Sequence, residues 1–206
     1  RKDQNRDKYF RQAKSDGYRA RSAYKLIELN DKYGLIRTGM TILDLGAAPG
    51  SWCQVAAKLG AKVVAVDLSL IQPLAGVTTI RGDITQPETI TQIENTLTGN
   101  ADLILSDVSP ATSGVQFVDH ERSIDLARAS LHLAVRFLKN DGKFVVKVFQ
   151  GEDFDVFVKQ ARQHFRQVSV HRPPASRSES TEHYVVGVGF RASEKSLPQR
   201  SQGTQS

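Results

Sequence analysis

Thr41-Ile42-Leu43-Asp44-Leu45 is a short apolar run that passes without a break into Gly46-Ala47-Ala48-Pro49-Gly50. The run reads as a buried strand, and the glycines as a tight turn from it into a helix starting near Ser51. A strand that leads straight into a helix belongs to a parallel sheet, because only a crossover brings the chain back to the same edge. The rest of the sequence keeps the alternation. Apolar, β-branched runs at 62–66, 78–80, 102–105, 143–149, 167–170 and 184–190 read as further strands. Stretches at 22–33, 52–58, 119–138 and 153–164 read as helices. This pattern predicts an α/β, Rossmann-like fold with a mainly parallel, seven-stranded central sheet and helices on both faces. Asn140-Asp141-Gly142 is a turn signal, expected to release the long helix into the next strand.

Charge is placed unevenly along the 206 residues. The net charge is +6, and the first 25 residues hold nine Lys or Arg against Asp3, Asp7 and Asp16, which accounts for the whole excess. A basic segment with Tyr9, Phe10 and Tyr18 interleaved suits a phosphate backbone and its bases, or is simply a solvated charged arm. The expected organisation is a basic N-terminal arm over 1–21, one folded domain over 22–192 and a Ser- and Gln-rich disordered tail over 193–206. Cys53 is the sole cysteine, so it reads as a small packed residue in a cytoplasmic, monomeric protein. No run approaches the roughly 20 apolar residues that span a bilayer, so no membrane partner is expected. The five histidines lack metal-ligand spacing, and no metal is expected.

The glycine turn departs from the dinucleotide pattern Gly-x-Gly-x-x-Gly, with Pro49 in its middle and no third glycine in place. It therefore suits an amino-acid moiety better than a pyrophosphate. Gly46 and Gly50 let the backbone approach a ligand closely, and Asp44 suits the ammonium of a methionine. Asp67 ends the second strand, where an acid can accept both hydroxyls of a ribose. Asp83 follows the third strand, where it can meet an adenine amino group. Trp52 is expected to pack beside the ligand or, alternatively, to serve as a core aromatic. Glycine loop and acids together point to S-adenosyl-L-methionine.

Five blocks in order carry a resemblance to a known family: Arg21-Ser22-Ala23-Tyr24-Lys25-Leu26, Asp44 through Trp52, Leu105-Ser106-Asp107-Val108-Ser109-Pro110, Gly142 through Gly151, and Ser180-Thr181-Glu182-His183-Tyr184. The chain resembles the FtsJ/RrmJ-like RNA ribose 2′-O-methyltransferases, and within them the ribosomal RNA large subunit methyltransferase E group. The resemblance implies a class I methyltransferase fold and a Lys-Asp-Lys-Glu catalytic set that falls on Lys25, Asp107, Lys147 and Glu182. It implies that Lys147 is the base facing the target hydroxyl. Its cofactor contacts fall on Gly50, Trp52, Asp67, Asp83 and Asp107. Ser51 stands where a second glycine is common, and Val108-Ser109 where Met-Ala is common.

The residues carry part of this without the family. Lys147 lies inside the apolar strand Phe144-Val145-Val146-Lys147-Val148-Phe149, and a buried charge is costly unless paired. Lysine is a weak starting base, since holding one neutral at pH 7 costs roughly 4–5 kcal/mol. The implied substrate is a uridine ribose of large-subunit ribosomal RNA, reached by the basic arm and by Arg172 and Arg177. Transfer RNA, a small-molecule acceptor and a non-enzymatic RNA-binding relative are the alternatives.

Overall fold

A computed structural model describes residues 2–111, 113–173 and 181–192. The expected tail at 193–206, together with Arg177 and Ser180, lies outside the described residues. In chain order the elements are α1 (Lys2–Ser15), α2 (Ala23–Tyr33), β1 (Thr41–Leu45), α3 (Ser51–Lys58), β2 (Lys62–Asp67), β3 (Val77–Arg81) and α4 (Pro87–Thr96). They continue with β4 (Ala101–Ser106), α5 (Gln116–Phe137), β5 (Leu138–Phe149), α6 (Phe154–His164), β6 (Phe165–His171) and β7 (Glu182–Phe190).

The seven strands form one sheet in the order β3-β2-β1-β4-β5-β7-β6. Six run in the same direction, and β7 inserts antiparallel between β5 and β6. The predicted α/β architecture is the observed one. Side chains alternate along each strand, so the sheet has two cores. Leu43, Leu45, Val64, Ile104, Phe144 and Val146 face α4, α5 and α6. Ile42, Val63, Leu103, Leu105, Val145 and Tyr184 face α2 and α3. The strand order reverses between β1 and β4, and the crevice beyond their carboxyl ends is where such sheets bind ligands.

Three features differ from the sequence reading. The basic arm is helical over Lys2–Ser15, with Ala13 buried and Tyr9 packed on Tyr24 at 5.6 Å between ring centroids. Helix α4 was not expected, because Pro-Glu-Thr-Ile-Thr-Gln-Ile-Glu-Asn-Thr offers little but Ile90 and Ile93 as an apolar stripe. It forms because Ile93 and Thr89 are buried against the sheet, a tertiary gain that weak propensity does not show. Finally, the Asn140-Asp141-Gly142 turn lies inside β5 rather than before it. Ala101 pairs with Leu138 and Leu103 with Lys143, so residues 139–142 bulge out opposite Asp102. Asp141 adopts φ 65°, and Lys139 Nζ closes the bulge on Asp102 Oδ1 at 2.7 Å.

Candidate active site

The end of β1 must come very close to the end of β4. Gly46 has φ 70°, and a Cβ there would sit 2.7 Å from the backbone Cα of Val108. Only glycine fits both the conformation and the space. The Gly46 amide donates to Val66 O at 2.8 Å, tying the turn to β2. Beside it opens a cavity of about 400 Å³, with Gly46, Ala48, Asp67, Asp83, Asp107 and Ser109 on its wall. Asp67 is held in place by two backbone amides, Ala48 N on Oδ2 at 3.0 Å and Ser69 N on Oδ1 at 2.7 Å. Asp83 accepts from Thr85 N and Thr85 Oγ1 at 2.9 and 2.8 Å.

Every charged side chain on that wall, among the described residues, is a carboxylate: Asp67, Asp83 and Asp107. Such a wall repels phosphates and attracts a cation. S-adenosylmethionine carries a sulfonium and an ammonium against one carboxylate, so this donor set fits it and disfavours a dinucleotide. Asp67 and Asp83 stand at the ends of neighbouring strands, where the two halves of a nucleoside would meet them.

Three other expected contacts stand behind the wall rather than on it. Asp44 points to the α3 side of the sheet, where Cys53 Sγ donates to its Oδ2 at 3.1 Å and its Oδ1 has no hydrogen-bond partner. Burial pushes its pKa up to about 7, with the charges of Asp107 and Asp67 adding and the Cys53 bond opposing. Trp52 is a core aromatic, 2% exposed, with its indole N–H donating to Ser22 O at 2.9 Å and its ring 5.8 Å from that of Tyr184. Gly50 (φ 104°) faces Arg19, whose Nη1 would lie 2.7 Å from a Cβ there. The Asp44 and Trp52 side chains thus support the loop and do not line the cavity.

The four residues of the expected catalytic set converge at the cavity's edge. Lys25 rises from α2, Asp107 follows β4, Lys147 lies in β5 and Glu182 opens β7. Lys25 Nζ meets Glu182 Oε2 at 2.8 Å across 157 residues of sequence. Lys147 Nζ lies 3.1 Å from Asp107 Oδ1 and 4.0 Å from Glu182 Oε1, and donates to Asp107 O at 2.9 Å. Both lysines are buried, at 8% and 5% exposure, and two cations facing two carboxylates satisfy the need for pairing.

The structure adds residues to which the sequence reading assigned no role. Tyr184, fully buried, donates from its hydroxyl to Asp107 Oδ1 at 2.8 Å and so fixes the carboxylate that faces Lys147. Burial and the nearby Asp107 and Glu182 hold its phenol protonated. Its position two residues after Glu182, on the same face of one strand, was the available signal. Ser109 Oγ lies 2.7 Å from Lys147 Nζ, and its signal was the departure from Met-Ala. Arg19 reaches Pro49 O, Gln72 O and Pro73 O at 3.0, 2.9 and 3.0 Å, stitching the glycine loop to the chain after β2. No local pattern announces that role.

Comparison with known proteins now bears on this geometry. The model of the family described as FtsJ-like methyltransferase matches residues 18–190. The chain belongs to that family. This FtsJ-like methyltransferase is 54% identical over 183 residues to a protein of Methanothrix thermoacetophila named Ribosomal RNA large subunit methyltransferase E, covering 88% of the chain and 72% of the relative. A protein of the same name from Archaeoglobus fulgidus is 52% identical over 185 residues, covering 90% of the chain and 96% of the relative. A crystal structure of a ribosomal RNA methyltransferase from Plasmodium falciparum superposes with a TM-score of 0.76 at 29% identity, over 84% of this chain and 98% of that one. The FtsJ-like methyltransferase is an enzyme, and its methyl donor is S-adenosylmethionine.

Proposed function

We propose that this enzyme methylates the 2′-hydroxyl of a uridine ribose in large-subunit ribosomal RNA, acting as a monomer in the cytoplasm. The observation that carries the reading is the buried Lys25–Glu182 and Lys147–Asp107 arrangement at the edge of an acidic cavity. A small-molecule methyltransferase needs the cavity but neither the paired lysines nor the basic helix α1. A non-enzymatic relative needs no lysine held against the cavity.

Bound S-adenosylmethionine supplies a methyl group on a positively charged sulfur, open to in-line attack. Asp67 and Asp83 would hold the nucleoside half, with Asp107 on the same wall, and Gly50 and Trp52 would act through the backbone at the start of α3. Lys147 orients the acceptor hydroxyl and takes its proton as the oxygen attacks. Asp107 fixes Nζ through both its carboxylate and its carbonyl oxygen, and the Asp107 amide is itself tied to Leu45 O at 3.1 Å. Glu182, gripped by Lys25, adds a second negative charge near Nζ.

Transfer of labelled methyl from S-adenosylmethionine into total RNA, with mapping of ribose 2′-O-methyl positions, tests the assignment. The expected product is a single 2′-O-methyluridine in large-subunit ribosomal RNA. Label confined to transfer RNA or to small molecules overturns it. The arm makes a second prediction. Lys8, Arg11 and Lys14 are exposed and spaced three residues apart along α1, which precedes the helix that carries Lys25, and Arg172 follows β6. RNA affinity is expected to fall roughly 10–10²-fold between about 50 and 200 mM salt. Replacing Lys8, Arg11 and Lys14 by glutamine should weaken binding and flatten that slope, as filter binding or fluorescence anisotropy would show. A salt-independent affinity removes the arm from the interface.

A further inference from the structure

Lys147 Nζ has three close oxygen neighbours: Asp107 Oδ1 at 3.1 Å, Asp107 O at 2.9 Å and Ser109 Oγ at 2.7 Å. Asp107 O and Ser109 Oγ accept hydrogen bonds from Nζ, and Asp107 Oδ1 faces it as the counter-charge. To receive a proton Nζ must first be neutral, with two N–H donors and a lone pair, and the acceptor hydroxyl must meet that lone pair at one of those three places. Two of them cannot yield. Asp107 O is backbone, anchored through its amide to β1, and Asp107 Oδ1 is pinned by the buried Tyr184 hydroxyl at 2.8 Å. The third belongs to a small, exposed side chain on the cavity wall that turns about a single bond. The group it presents to Nζ is a hydroxyl, the same chemistry as the ribose acceptor.

We propose that Ser109 is a positioning residue whose hydroxyl keeps, in the RNA-free enzyme, the place on Lys147 that the ribose 2′-hydroxyl takes. When RNA enters, Ser109 turns away into the cavity mouth and the ribose oxygen replaces it on Nζ. The exchange keeps Nζ fully engaged in both states: as an ammonium it donates to Ser109, and once it has lost a proton to solvent its two N–H groups face Asp107 while its lone pair accepts the ribose proton. The other charged or titratable groups around Nζ are Asp107, Glu182, Lys25 through Glu182, and Tyr184, and none of them is displaced. The inference rests on the reading of Lys147 as the group that takes the proton.

The test uses the fact that kcat/KM reports the free enzyme and kcat the RNA complex. In Ser109→Ala the ammonium loses an acceptor only in the free enzyme. The rising limb of the kcat/KM profile should therefore move to lower pH by about 0.5–1 unit, while the kcat profile stays in place. Ser109→Thr, which keeps the hydroxyl, should return the kcat/KM profile toward that of the parent. If both profiles move together, Ser109 remains on Nζ with RNA bound and the inference is wrong; if neither moves, or threonine fails to restore the limb, it is equally wrong. Lys147→Ala measured alongside separates the two layers. Retained turnover there removes the underlying reading and the inference with it, whereas lost turnover with unsplit Ser109 profiles removes the inference alone.

Discussion

Lys147→Ala lowers the single-turnover rate of methyl transfer by about 10³-fold or more, while S-adenosylmethionine affinity stays within about threefold. The split follows from geometry. Lys147 touches Asp107 and Ser109 from behind the cavity wall, and the cavity itself is lined by carboxylates. Removing Nζ takes away the group that orients the acceptor and receives its proton, and leaves the nucleoside contacts of Asp67 and Asp83 untouched. Truncation also leaves Asp107 without its buried counter-charge, which is destabilising. Lys147→Arg is therefore the informative companion. It keeps the positive charge but stays protonated throughout the working pH range, so it should fold and bind the cofactor without restoring turnover. Calorimetric titration with S-adenosylmethionine and labelled transfer into RNA read the two halves separately. Near-parental rates in either variant would place the proton acceptor elsewhere.

Asp44→Asn is expected to stabilise the ligand-free protein increasingly as pH rises. The parent carboxyl titrates near 7 when folded because it is fully buried, against about 3.9 in an unfolded chain. Between these values the folded protein keeps a proton that the unfolded chain has released, so rising pH favours unfolding. The loss grows from about pH 4 and is complete above about pH 7. Asparagine does not titrate, and any cost of its buried amide is the same at every pH. The melting-temperature gap between variant and parent should therefore widen by roughly 5–10 °C between about pH 5 and pH 8, equivalent to about 2–3 kcal/mol. A gap that stays constant across this range would mean that Asp44 is ionised in the folded protein and finds a cation that pairs with it.

Much of the fold could be read locally because its signals are local. The run Thr41–Leu45 is a strand at the same residues in sequence and structure. The other strands differ by a few residues at their ends, where apolar patterning fades. Where the reading fell short, a distant contact outweighed a weak local pattern. Helix α4 has only two strongly apolar positions, and burial of Ile93 and Thr89 decides it. The turn at Asn140-Asp141-Gly142 was read correctly as a turn, but its place inside β5 depends on Leu138 pairing with Ala101 on the neighbouring strand.

The sequence by itself determined the sheet architecture, the glycine turn at the carboxyl edge, the acids at successive strand ends and the basic N-terminal segment. All of these rest on periods of two or a few residues, or on charge, and both survive without knowledge of neighbours. Tertiary structure alone decided which side chains meet. Strand alternation says that Asp44 and Lys147 point to one face or the other, but not that Asp44 turns to Cys53 away from the cavity, nor that Lys147 meets Ser109. The antiparallel register that sets Lys147 beside Tyr184 and Phe149 beside Glu182 is fixed across a gap of more than thirty residues. That register delivers Glu182 to Lys25 and Tyr184 to Asp107, and so converts four separated charged residues into one paired site.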